Sequence, residues 1–160
     1  MRGENRSFSP DSPQAAAILF QRALAGGDLA ALHRLMTPES YQTLRTLVLH
    51  RTMHPSMQEA QEGILVGFHF TRAHRVVRPL IKPGMDEAAL EKAFHTALSI
   101  AGERINDGNA PQLAVKIHRT RLLDDGAASV TFCVALRRGT AVLGRLLLRS
   151  GGEGWQVALP

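Results

Sequence analysis

Apolar side chains in the first third of the 160-residue chain recur at the three- and four-residue spacing of amphipathic helices. Three helices are predicted there, over residues 13–27, 29–36 and 40–54. Ser12 and Asp28 suit the N-caps of the first two, because a short side-chain oxygen can accept a hydrogen bond from a free backbone N–H. The Gly26-Gly27 pair and Pro55 supply stops for the first and third helices.

The clearest helical pattern covers residues 87–105, with Asp86 as its N-cap. Its apolar stripe comprises Leu90, Phe94, Ala97, Leu98, Ala101 and Ile105. Glu91 and His95 fall off that stripe, so both are predicted to lie on the solvated face. Residues 56–81 before it mix β-branched residues, glycines and partial alternation. Helix and strand compete in that segment, and a short helix followed by one or two strands is the favoured prediction.

The last fifty residues change to the two-residue period of strands, with four runs separated by the turn signals DDG, RRG and GGEG. This pattern predicts an antiparallel meander. A two-residue turn at Asp125-Gly126 would pair Arg119 with Phe132 and Arg121 with Val130, on a mainly aliphatic face. The opposite, small and polar face would hold Lys116, His118, Thr120, Ser129, Thr131 and Cys133. A three-residue turn would pair the strands differently, so the face assignment depends on the turn.

Helices followed by a strand meander predict an α+β fold, and 160 residues are the usual size of one domain. Residues 1–12 are polar and are predicted to form a disordered arm before a single domain over residues 13–160. The sequence shows neither the apolar core of a signal peptide nor a membrane-spanning stretch. We therefore expect a cytoplasmic location and no membrane partner.

The formal net charge of +5 comes mainly from arginine and favours anionic partners. The arginines are scattered along the chain and aromatic residues are few, which disfavours a nucleic-acid partner. Cys133 is the single cysteine, so neither an internal disulfide nor a cysteine metal cluster can form.

Residues 26–40 (GGDLAALHRLMTPES) and the closing GWQVAL of residues 154–159 resemble the nuclear transport factor 2-like superfamily. The resemblance covers residues 13–41 and 113–159. It implies a cystatin-like cone, in which the curved antiparallel sheet wraps around the N-terminal helices and a long middle helix. It also implies a concave pocket, frequent homodimers, and a division between enzymes and members that only bind.

Metal binding is tested first at His50 and His54, which are one helical turn apart. His54 precedes Pro55, where the helix must end, and no glutamate of an HExxH motif lies between the two histidines. No metal site and no cofactor are therefore predicted.

Catalytic candidates are equally sparse. The carboxylates fall in predicted caps, turns, helices and the arm rather than in strands, where the resemblance would place a general base. Tyr41 could donate to an oxyanion, and His118 or His69 could act as a base. A tyrosine on an apolar helix face is more often a core residue with a satisfied hydroxyl, and Cys133 is read as a buried, inert thiol.

Candidate ligand-binding residues are Arg119, Arg121, Arg145, His118 and Tyr41. The arginines either line a pocket for an anion or lie on a solvent- or partner-facing side of the sheet, and the second is favoured. The preferred hypothesis is a noncatalytic binding or scaffold module, a homodimer with a pocket for a small apolar or anionic molecule or a sheet that docks a protein. The alternative is a small-molecule isomerase, cyclase or dehydratase that uses Tyr41 with His118 or His69.

Overall fold

Helices and a single sheet form the part of the chain that this computed structural model describes, residues 10–55, 64–65, 68–103, 113–135, 141–151 and 154–159. The helices are α1 (Pro13–Gly26), α2 (Leu29–Leu35), α3 (Pro38–Met53), α4 (Thr71–Val77) and α5 (Glu87–Ala101). The strands are β1 (Val115–Leu123), β2 (Ala127–Ala135), β3 (Ala141–Gly151) and β4 (Gly154–Val157). Within these residues, no helix is both long enough and apolar enough to cross a membrane.

The predicted caps of the first helices are confirmed. The Ser12 side chain accepts a hydrogen bond from the first turn of α1, and the Asp28 side chain does the same for α2. Gly27 ends α1 with a φ of 65°, a left-handed conformation that glycine adopts without steric cost. Helix α3 begins at Pro38, two residues before the predicted start, because the Thr37 side chain caps it and Pro38 fits its first turn.

The strand prediction for the middle segment is wrong where the structure describes it. Residues 71–77 form α4, followed by a short 3-10 helix over Arg78–Leu80. Phe70, Ala73 and Val77 are buried at helical spacing, and α4 packs against α5, so tertiary burial outweighs the local β-propensity. Residues 56–63 and 66–67, including the predicted short helix, lie outside the described residues.

The four strands pair antiparallel in the order β1-β2-β3-β4, which confirms the meander. Helix α1 packs against β1, β2 and β4, and α5 packs in turn against α1, α3 and α4. Side chains of β2 that point toward the helices are fully buried: Ala128, Val130, Phe132 and Val134. The α+β class and the curved sheet are therefore confirmed, with the core between one face of the sheet and the helices.

The predicted pairing of β1 with β2 is wrong. The connection is the three-residue turn Asp124–Gly126, so Leu123 pairs with Ala127. Arg119 consequently pairs with Thr131 and Arg121 with Ser129, which moves both arginines to the small, polar face. Thr120 moves the other way, opposite Val130. A β-bulge at His118 shifts the pairing by one more residue. Lys116, before the bulge, therefore lies on the small, polar face that was predicted for it.

The end of the predicted N-terminal arm contacts the sheet. Pro10 is buried, and its carbonyl accepts a hydrogen bond of 3.0 Å from the backbone N–H of Trp155. Trp155 lies on the edge strand β4 and packs against the core. Residues 1–9 lie outside the described residues, so the disorder of the arm stays a prediction.

Candidate functional site

Positive side chains cover the face of the sheet that points away from α1, called the outer face below. Among the described residues, its exposed cations are Lys116, Arg119, Arg121, Arg145 and Arg149. They stand on β1 and β3, about 9–10 Å apart across the central strand. The outward side chains of that strand are small: Ala127, Ser129, Thr131 and Cys133. The outer face is therefore a shallow trough whose walls combine these cations with exposed leucines, Leu123, Leu143 and Leu147.

Solvent is the main partner of these cations within the described part of the chain. The described ion pairs involve Arg45, Arg72 and His33, and none of them reaches the outer face. Arg119 was predicted to lie on a solvent- or partner-facing side, and its side chain is exposed on β1, opposite Thr131 of β2. The charge of the outer face is consequently open to an anionic partner.

A cavity of about 650 Å³ joins the outer face to α3 and to the residues after β4. Arg121 and Arg145 line it, together with the hydroxyl-bearing Ser129. The remaining lining is mainly apolar: Leu47, Ile64, Leu123, Leu146, Leu147, Ala158 and Leu159. Its size falls in the range typical of small-molecule sites. The structure thus brings together two of the predicted ligand-binding arginines beside an apolar chamber.

The C-terminal segment holds one wall of this cavity in place. The Leu159 backbone N–H donates to Ser40 Oγ over 2.9 Å, and the Ala158 N–H donates to the Leu147 carbonyl over 2.9 Å. Ser40 belongs to α3, and Leu147 belongs to β3. That wall is therefore tied both to a helix and to the sheet.

A second polar cluster lies between α3 and α5. The Tyr41 hydroxyl donates to Glu91 Oε2 over 2.5 Å, and Arg45 Nη1 donates to Glu91 Oε1 over 3.1 Å. Arg45 also contacts Glu87 at 2.7 Å, and the His33 ring stacks on the Tyr41 ring with 3.7 Å between centroids. The cluster fastens α2 and α3 to α5.

The protonation states of this cluster follow from burial and charge. Burial and the hydrogen bond to Glu91 raise the pKa of the Tyr41 phenol, which therefore keeps its proton at neutral pH. Burial alone would raise the pKa of Glu91, but the hydrogen bonds from Tyr41 and Arg45 outweigh it and lower that pKa. The hydrogen bond to Glu87 raises the pKa of Arg45. The cluster is thus a neutral phenol beside fixed charges.

The other predicted catalytic residues are not assembled around Tyr41. His118 is exposed at the bulge in β1, and His69 is exposed just before α4. Tyr41 is 2% exposed, and its hydroxyl is already bonded to Glu91, as expected for a core tyrosine. Cys133 is half-buried on the outer face, so the prediction of a buried thiol is wrong. The corrected register places that side chain beside Lys116 and Leu143.

Glu91 is the residue of this cluster that sequence reasoning assigned to the wrong environment. It was predicted to be solvated, yet it accepts hydrogen bonds from two residues of α3. Tyr41 and Arg45 are four residues apart, so they share a helix face. That spacing of a phenol and a guanidinium was the signal for a shared acidic acceptor.

His50 and His54 lie at the end of α3, with ring centroids 4.7 Å apart. Among the residues described, no group of three or more His, Cys, Asp or Glu side chains is positioned to hold a metal ion. The two imidazoles are close neighbours nevertheless, because the N–H of His54 still donates to the carbonyl of His50.

No family model matches the chain, and no curated protein matches it either. In structure it is similar to a Campylobacter jejuni protein named "Putative NTF2-like transpeptidase". The two share 12% identity over 74% of this chain and 97% of that one, with a TM-score of 0.31. That name agrees with the superfamily that the sequence resembles. Because the TM-score is so low, the likeness carries no argument about function, and the proposals below rest on the residues of this chain.

Proposed function

We propose that the protein is a noncatalytic binding module for a small amphiphilic anion. The observation that carries this proposal is the position of Arg121 and Arg145 on the wall of an otherwise mainly apolar cavity. Neither arginine has an acidic partner among the described residues. A bound anion would supply the missing negative charge, and the guanidinium fork suits a carboxylate, phosphate or sulfonate head.

The apolar part of the cavity lining determines the chemistry of the rest of the ligand. Leu47 of α3, Leu147 of β3 and Leu159 at the C-terminal end present aliphatic surface beside the two arginines. An apolar body placed against them loses contact with water, which contributes about 25 cal/mol for each Å² buried. The ligand class is therefore an anion with an apolar body, rather than a fully polar metabolite.

The lining also supports a binding role over catalysis. Among the described residues that line the cavity, the ionisable side chains are the two arginines, and Thr43 and Ser129 add only hydroxyl groups. General acid–base chemistry at neutral pH requires a group such as histidine or a carboxylate. The Tyr41 and His118 pair of the enzyme alternative lies outside this lining.

Two matched dyes test the proposal. Anilinonaphthalene sulfonate carries an apolar ring system and an anionic head, and N-phenylnaphthylamine has the same ring system without the sulfonate. We expect the sulfonate to bind more tightly, as measured by fluorescence titration. A charge-assisted hydrogen bond is worth about 1.5–3 kcal/mol, so Arg121→Gln and Arg145→Gln should each weaken sulfonate binding by roughly tenfold or more.

Arg149→Gln is the matched control, because Arg149 is exposed on the same face and the same strand as Arg145 but lies outside the cavity. It should leave the titration unchanged. Native mass spectrometry of the purified protein, before and after mild activation, checks for a retained ligand directly. The proposal would be contradicted if the parent protein and each variant bound the two dyes with equal affinity.

A second candidate function is the docking of an acidic protein segment on the outer face. The observation that favours it is the trough flanked by basic residues, of which Lys116, Arg119 and Arg149 lie outside the cavity. In an extended peptide, alternate side chains are about 6.8 Å apart, which matches the spacing between Arg119 and Arg121. Like charges would oppose each other if two copies met through this face, so the proposed homodimer would use another surface.

Polyglutamate is the probe for docking. Its binding, measured by fluorescence anisotropy, should weaken with rising salt and with the double substitution Arg119→Gln and Arg149→Gln. Binding of anilinonaphthalene sulfonate should survive that substitution, which separates the two candidate functions. The docking candidate is overturned if the double variant binds polyglutamate as tightly as the parent protein.

A further inference from the structure

The end of α3 groups three side chains that can bind a metal ion. His50, Met53 and His54 line one cleft of about 370 Å³, which Leu90 of α5 borders from the other side. The three residues follow each other at positions i, i+3 and i+4, so their side chains leave the helix on one face. This cleft takes no part in the proposed anion site.

The chain geometry at His54 keeps the two imidazoles together. Because Pro55 follows, we expected His54 to leave the helix, and its φ of −130° and ψ of 68° do turn the chain away. Its backbone N–H nevertheless donates to the His50 carbonyl over 3.0 Å, which completes the last turn. The rings consequently lie 4.7 Å apart, with an angle of 46° between their planes. Both histidines are exposed, so both are accessible to a metal ion.

The local charge tolerates a cation. Arg45 also lines the cleft, but its guanidinium is held by Glu87 at 2.7 Å and by Glu91 at 3.1 Å. The charges of Arg45, Glu87 and Glu91 together sum to −1. Arg51 follows His50 in the chain, but its guanidinium lies over the Phe70 ring and outside the cleft lining. The cation that lines the cleft, Arg45, is therefore offset by carboxylates, so an added monovalent cation meets little repulsion.

The ligand set selects the kind of metal. We propose that His50, Met53 and His54 form a site for a soft monovalent cation, Cu(I) by chemical class. Two imidazoles and a thioether suit Cu(I), whereas Zn²⁺ sites that contain only two histidines complete their ligand set with thiolate or carboxylate. Among the described residues, the cleft offers neither of those groups. The thioether of Met53 is therefore the ligand that sets the specificity.

The test is an anaerobic competition for Cu(I) between the protein and a coloured Cu(I) chelator, on protein that carries no histidine tag. All variants carry Cys133→Ser, because the half-buried thiol on the outer face would compete for Cu(I). We expect one Cu(I) per chain. Loss of an outer-shell partner alone costs about 10–100-fold in metal affinity, so His50→Ala and His54→Ala should each cost at least about tenfold.

Met53→Leu keeps an apolar side chain of similar volume and removes only the sulfur. It should weaken Cu(I) binding by about tenfold or more and leave the binding of Ni²⁺ unchanged. The controls are His95→Ala, an exposed histidine elsewhere on α5, and Met85→Leu, a half-buried methionine outside the cleft. The proposal is overturned if the parent binds no Cu(I), if the controls weaken binding as much as the ligand variants, or if Met53→Leu binds Cu(I) like the parent.

Discussion

Glu91 is the hub of the contacts between α3 and α5, and its removal is expected to be costly. In Glu91→Ala the Tyr41 hydroxyl loses its hydrogen-bond acceptor. Tyr41 is only 2% exposed, so its hydroxyl is left buried and unsatisfied. An unsatisfied buried polar group costs about 1–3 kcal/mol. Arg45 also loses one carboxylate but keeps Glu87 and Gln42, so that loss adds about 0–1 kcal/mol. We expect the free energy of unfolding to fall by about 1–4 kcal/mol in all.

Urea denaturation followed by far-UV circular dichroism measures this loss. The matched control is Glu87→Ala, one helical turn away and also bound to Arg45, but with a side chain that is 71% exposed. Its effect should be within the error of the measurement. In a Tyr41→Phe background, Glu91→Ala should cost about 1–2 kcal/mol less than in the parent. Equal losses for Glu91→Ala and Glu87→Ala, or no coupling to Tyr41, would refute the assignment of Glu91 as the hub.

The same cluster predicts how stability depends on pH. The pKa of Glu91 is lowered in the folded chain, so its stabilising effect is fully present above the ordinary carboxyl value of 4.5. The effect is lost as the pH falls through the lower pKa of the folded state. The difference in stability between the parent and Glu91→Gln should therefore shrink only in acid. If the difference is the same at pH 3 and pH 7, the charge of Glu91 does not contribute.

Two further predictions test the backbone. Gly27→Ala should destabilise the protein more than Gly84→Ala in thermal melts. Both glycines have positive φ, of 65° and 77°, so alanine is strained at either position. Only at Gly27 would the added Cβ also lie close to another group, 2.5 Å from the Ser99 hydroxyl. Because the Ser99 hydroxyl ends a side chain that can rotate, this extra crowding costs no more than about 1 kcal/mol. A smaller loss for Gly27→Ala than for Gly84→Ala would contradict it. Lys116→Cys should form a disulfide with Cys133 on mild oxidation, because these residues are cross-strand partners, whereas His118→Cys should not. Thiol counting by mass spectrometry distinguishes this register from the one predicted from sequence.

Local signals carried most of the helical prediction. Ser12, Asp28 and Asp86 cap helices through bonds to backbone N–H groups a few residues away, and Gly27 ends α1 through its own left-handed conformation. Such signals are short-range, so the sequence expresses them directly. The helical period of α4 is obscured by β-branched neighbours, and only the packing against α5 decides it.

The environment of Glu91 could not be predicted in the same way. Its partner Tyr41 lies fifty residues away in the chain, and only the packing of α3 on α5 brings the phenol to the carboxylate. A helical-face argument considers each helix alone, so it assigned Glu91 to solvent. The spacing of Tyr41 and Arg45 on α3 indicates an acidic acceptor, but nothing in α3 identifies Glu91 as that acceptor.

The face assignment of the arginines shows how much one residue of register can change. With the two-residue turn, Arg119 and Arg121 would point toward the helices, where an unpaired guanidinium is strongly disfavoured. The three-residue turn moves both to the outer face, opposite Thr131 and Ser129. Arg121 then reaches the same cavity as Arg145. Both the anion site and the basic trough therefore depend on the loop at residues 124–126.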